Sequence, residues 1–155
     1  MRVVHWLITF CLLAGIAPGS VWSQTLQTRI DAAAPGDTIV VDGGVHNGPF
    51  VIDRPLVLLG KNRPHLKGDE TTHVVTVKAN DVTVQSVRIT DSGKQLSDDH
   101  AGIMVQAHRA TIRDNHLADV LHGIYVKGKD RAVIAENRIE GPPTVTRQLM
   151  PEEAR

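Results

Sequence analysis

Short runs in which every second residue is apolar recur along this chain. Val82 and Val84, then Val87 and Ile89, alternate with polar neighbours, and Ile103 with Val105 and Ile124 with Val126 repeat the pattern further on. Alternation at period two marks half-buried strands. The runs are also copies of one another. Ala110 to Leu117 aligns with Ala132 to Ile139 at an offset of 22 residues, which sets Ile112 over Ile134, Asn115 over Asn137 and Leu117 over Ile139. Ala101 to Val105 aligns with His122 to Val126 at an offset of 21, and Val82 to Ile89 aligns with Ala110 to Leu117 at 28. The polar stretch Ser92 to His100 accounts for the longer step, as a loop inserted at one corner.

The repeats contain no helix-period run of ten or more residues and no two-residue hairpin turns between strands. Strands recurring every 21 to 22 residues under those conditions pair each with its copy one turn on. The predicted class is therefore all-β: a right-handed parallel β-helix with a short N-terminal capping helix. Equivalent residues then stack about 4.8 Å apart. Asn115 and Asn137 become neighbours able to link side-chain amides, a structural ladder rather than a binding site.

The two ends differ. Thr25 is placed to cap a helix with Leu26, Ile30 and Ala33 on one face, stopped by Pro35-Gly36. Such a helix is expected to act as a lid over the open end of the solenoid. Thr38 to Val41, Phe50 to Ile52 and Leu56 to Leu59 are expected to form the first coil, with turns at Gly43-Gly44 and Asn47-Gly48. After Gly141, Pro142-Pro143 opens a stretch without repeat or alternation, and residues 142–155 are expected to be an irregular tail. No comparable lid is legible there, which suggests a shortened version of a longer protein or a partner over that end.

Before the repeats comes an apolar run from Trp6 to Ala17 behind one basic residue, Arg2, with small residues at Ser20 and Ser23. That order is a secretory signal peptide, residues 1–23, and cleavage leaves one domain over residues 24–141 plus the tail. Cleavage also removes Cys11, the only cysteine, and both tryptophans, so disulfides and thiolate metal sites are excluded from the mature chain. The expected product is periplasmic, with no membrane insertion after cleavage. Lysine and arginine number 17 against 17 aspartates and glutamates, a balance that gives no reason to expect nucleic acid as a partner.

The succession Leu26 to Ala34, Pro35 to Val41, Gly48 to Gly60, Val82 to Ile89, Asp98-Asp99-His100-Ala-Gly-Ile103 and His122 to Val126 resembles the start of the periplasmic NosD-type proteins. The resemblance implies an accessory factor without turnover of its own. It implies work with the subunits of an ATP-binding-cassette (ABC) transporter, and with nitrous-oxide reductase or a copper chaperone, in assembling the reductase's multicopper centre. Members of that family are considerably longer than this chain.

Copper handling without cysteine calls for imidazole or thioether ligands. The histidines after residue 23 are His46, His65, His73, His100, His108, His116 and His122, and none falls in a close ligand spacing. The best local constellation for a metal is Asp98, Asp99 and His100 on the inserted loop, with His122 from the next coil, although a solvated polar loop explains these residues equally well. His73 and His122 lie beneath and above Ala101, two coils apart, too far to share an ion. His116 aligns with Arg88 and Arg138 on an outward face.

The runner-up is a polysaccharide lyase, epimerase or hydrolase, for which Asp91, Asp98, Asp99, Asp114 and Asp119 are the candidate acids. Against it, only Phe50 and Tyr125 remain as aromatic platforms for sugar. A non-catalytic surface module is the third reading. No catalytic residue is assigned.

Overall fold

The structure, a computed structural model, describes residues 25–127 and 131–141. The expected signal peptide and C-terminal tail lie outside the described residues. Among the described residues a seven-residue helix, α1 (Leu26–Ala32), precedes fourteen short strands. Coil one holds β1 (Asp37–Val41), β2 (Val45–Asn47) and β3 (Phe50–Ile52), and coil two holds β4 (Leu56–Gly60), β5 (His65–Lys67) and β6 (Val75–Val77). Coil three holds β7 (Thr83–Gln85), β8 (Arg88–Thr90) and β9 (Ala101–Val105), and coil four β10 (Thr111–Arg113), β11 (His116–Leu117) and β12 (His122–Val126). The strands β13 (Val133–Ala135) and β14 (Arg138–Ile139) begin a fifth.

Each strand pairs in parallel with the strand three places later, which builds three sheets: A (β1-β4-β7-β10-β13), B (β2-β5-β8-β11-β14) and C (β3-β6-β9-β12). The molecule is an all-parallel β-solenoid. The registers are those that the repeats dictate, with Ile112 opposite both Val84 and Ile134 and Leu117 opposite both Ile89 and Ile139. His122 sits opposite Ala101. Inward slots hold aliphatic columns such as Ile39, Leu58, Val84 and Ile112, and the last three are fully buried. Burying one such side chain contributes roughly 1.5–3 kcal/mol, and in a solenoid the gain comes only from the coil above and the coil below.

One expectation is corrected. Leu56 to Leu59 does not complete the first coil but opens the second, because Asp37 pairs with Leu56. The middle strand of coil one is Val45–Asn47, within a stretch expected to hold only turns. Its inward slot is held by His46, opposite Leu66, while Val45 points out. With no aliphatic in the core position and Gly43-Gly44 before it, this strand carries no alternation signal.

Two-residue corners join sheet A to sheet B in the third, fourth and fifth coils. Ser86, Asp114 and Glu136 occupy their first positions with φ of 60°, 51° and 57°. Aspartate and serine tolerate this left-handed conformation by bonding locally. The second corner position turns inward, where Asn115 donates through Nδ2 to Asn137 Oδ1 at 3.0 Å. The expected ladder is therefore present.

Candidate functional site

The insertion between β8 and β9 does not stand alone. Coil two bulges at the same corner, from Gly68 to Val74, and the two loops pack on each other. Gly68 N–H donates to the Thr90 carbonyl at 2.9 Å, Glu70 N–H to the Asp91 carbonyl at 3.1 Å and Gly93 N–H to the Thr72 carbonyl at 2.8 Å. Ser92 is fully buried and its Oγ accepts the Leu121 N–H at 2.9 Å, which ties the insertion to coil four as well. A loop held at both ends in this way is a fixed protrusion, with Leu96 exposed at its tip in a short 3₁₀ turn, Leu96–Asp98.

At its base two imidazoles meet. The His73 and His100 ring centroids are 5.7 Å apart and the rings are perpendicular. His100 is buried, and its ring lies so close to Gly93 that a Cβ there would stand 2.1 Å from Nδ1. His73 Nδ1 accepts the Ala101 N–H at 3.1 Å, so neutral His73 carries its proton on Nε2. Sequence alignment had already set His73 beneath Ala101, one residue from His100. The missing signal was the second loop, hidden by the irregular spacing of coil two.

Of the residues expected to bind a metal, Asp98 Oδ2 lies 3.8 Å from His100 Nε2. Asp99 is a left-handed corner residue, and His122 meets His100 through backbone, its N–H donating to the His100 carbonyl at 3.1 Å. The His122 ring packs instead against Tyr125, centroid to centroid 6.1 Å. Among the described residues no three His, Cys, Asp or Glu side chains come together as a group that could hold an ion. The Ala101 bond also occupies the Nδ1 lone pair of His73, which leaves that ring no free lone pair in its neutral form. His100 Nδ1 is buried without a hydrogen-bond partner, and the described residues gather no set of three such side chains around it.

Of the carboxylates weighed for sugar chemistry, Asp98 lies in the 3₁₀ turn, and Asp91, Asp99, Asp114 and Asp119 are corner residues with positive φ. Asp114 sits between sheets A and B, away from the other three. It is held below the usual carboxylate range by hydrogen bonds from Ser86 Oγ (2.7 Å) and the Arg63 guanidinium (2.6 Å). A polar recess of about 240 Å³ opens beside it, lined by Arg63, Asp114, Asn115, His116, Glu136 and Arg138.

Burial, followed by the neighbouring His100 and Lys127, holds His73 below its ordinary value, while Asp99 opposes the shift. His65 is lowered by burial and then by Arg88. A histidine with a depressed folded value binds its proton more readily when unfolded. Its contribution to stability is therefore intact above the ordinary value of 6.5 and is lost as pH falls through the lower folded value. The urea midpoint is expected to be lower at about pH 5.5 than at about pH 7.5. His73→Asn retains an acceptor for Ala101 but cannot titrate, so it should reduce that loss. An identical loss in both proteins would show that His73 is not the responsible group.

Among the described residues no helix is long and apolar enough to cross a membrane. No family model and no solved structure matches the chain. A curated protein of Pseudomonas aeruginosa, described as "Probable ABC transporter binding protein NosD", is 34% identical over 107 residues, which is 68% of this chain and 25% of that protein. The chain thus spans about a quarter of the length of this relative in the aligned region. That identity over two thirds of the chain, carried on an all-parallel solenoid, fits a NosD-type parallel β-helix protein.

Proposed function

We propose that this chain is an exported, periplasmic accessory protein of an ABC-transporter-associated system, and that it assists assembly of the copper centre of nitrous-oxide reductase. The observation that supports this reading is the 34% identity to a protein whose name describes ABC transporter binding. The fold is compatible with such a role. A solenoid offers long, rigid outer faces, and here the corner loops are pinned rather than free. In this reading copper is cargo passed between partners, among them a copper chaperone, and is not a cofactor held by the corner of Asp98, Asp99, His100 and His122.

Deleting the gene and then measuring both copper content and activity of the reductase tests the proposal. The expected result is a copper-poor, inactive reductase that regains both when the gene is restored. A fully loaded, active enzyme in the deletion strain would overturn it.

A further inference from the structure

Outward-facing columns distinguish the three sheets. On sheet A one such column runs Thr38, Val57, Thr83, Thr111, Val133, and on sheet C one runs Val51, Thr76, Met104, Tyr125; both are uncharged. On sheet B the column runs Val45, His65, Arg88, His116, Arg138. Lys67 stands on the same face beside His65. Four successive rungs about 4.8 Å apart therefore carry a guanidinium or an imidazole.

Arg88 and Arg138 lie two rungs apart with an imidazole between them, and gathering like charges on one face of a sheet opposes folding. The chain has enough acidic residues to alternate signs, with 17 of each charge overall, yet it does not do so here. Arg88 is exposed, and its side chain has no carboxylate partner among the described residues. Glu140 answers the far end only, 2.7 Å from Arg138 Nε and 3.2 Å from His116 Nε2. The polar recess beside His116 and Arg138 adjoins the upper end of the stripe.

We propose that the outer face of sheet B, from His65 through Arg88 and His116 to Arg138, is a docking stripe for an acidic, extended segment of a partner protein. Charge complementarity selects the occupant. A polysaccharide is the poorer fit, because sugar rings are usually gripped by aromatic platforms. Here Phe50 is buried and Tyr125 lies on sheet C. The stripe spans about 14 Å, the reach of four or so extended residues. This proposal stands or falls separately from the copper-centre reading, since the column is a property of the solenoid whatever the partner does.

The probe is a fluorescein-labelled peptide of roughly ten glutamates, titrated by anisotropy against the full chain at low salt. Binding should weaken steeply as salt rises. Arg88→Gln should weaken it by about tenfold and Arg88→Gln with Arg138→Gln should abolish most of it, since each removes a charge-assisted contact from an exposed site. Arg109→Gln is the control: Arg109 is as exposed but lies at another corner, bound by Asp81 at 2.6 Å, and its loss should leave affinity unchanged.

Three results would overturn the proposal. The first is absence of binding at low salt. The second is equal weakening by Arg109→Gln and Arg88→Gln, which marks general attraction. The third is tighter binding of an oligogalacturonate of matched length, which marks a sugar face.

Discussion

Asn115→Ala is expected to lower stability by about 3 kcal/mol, read as a fall in the urea midpoint at unchanged slope. Asn115 is buried, and its amide is fully engaged. Oδ1 accepts the Val87 N–H at 3.1 Å, and Nδ2 donates to the Val84 carbonyl at 3.0 Å and to Asn137 Oδ1 at 3.0 Å. Alanine would strand the Val87 N–H where water cannot reach it, at about 1–3 kcal/mol, and would remove the amide bonds to the Val84 carbonyl and Asn137 Oδ1 as well. Asn137 Oδ1 keeps a second donor, the Asn115 backbone N–H at 3.1 Å, so the loss does not extend to that residue. Asn137→Ala provides the comparison. Its amide donates to the Ile112 carbonyl at 2.8 Å, but it lies at the last described corner and is only half-buried, so water can replace much of what is lost. The cost there should be about 1 kcal/mol. An equal or larger cost at Asn137 would contradict this view of the ladder, in which burial rather than the stacked pair sets the energy.

The same ladder shows what the sequence made legible. Coils three to five share inward aliphatics at fixed offsets, and coils four and five a corner asparagine, so pairings such as Ile112 with Ile134 could be read directly from the letters. Coil one could not be read in this way, because His46 fills an inward slot that aliphatics hold elsewhere. The insertion Ser92–His100 was visible as a lengthened repeat. Its counterpart Gly68–Val74 was not, since no regular coil precedes it to set a reference length. Individual side chains at the corner were harder still. A repeat alignment fixes which backbone lies over which, but whether His100 turns toward His73 or toward His122 depends on loop bonds between Gly93 and Thr72 that leave no mark in composition. The sheet B column was half visible, as His116 aligned with Arg88 and Arg138. It became a four-rung feature only when the irregular register of coil two brought His65 into line.

The cap at the N-terminal end should be the most sensitive part of the molecule. Replacing Leu26 and Ile30 together by aspartate is expected to lower stability by about 4 kcal/mol or more, from lost burial alone. Both side chains are buried against the core of coil one. The helix also answers edge groups of the first coil. The Gln27 side chain accepts the Val51 N–H at 2.9 Å and donates to the Val51 carbonyl at 3.1 Å, as a neighbouring strand would. Arg29 donates to the Val40 carbonyl at 2.8 Å. Arg54 holds the helix end in place, donating to the Asp31 carbonyl at 2.6 Å. Unseating the helix therefore exposes apolar side chains and unpaired strand edges at once, the combination that invites pairing between chains. Light scattering should show concentration-dependent growth of the double variant at urea concentrations where the unaltered chain is unchanged. Gln27→Ala leaves the apolar seal intact and should cost only about 1 kcal/mol, with little growth. A double variant that is destabilised but stays the same size at every concentration would show that α1 supplies core packing alone and does not guard the sheet edges.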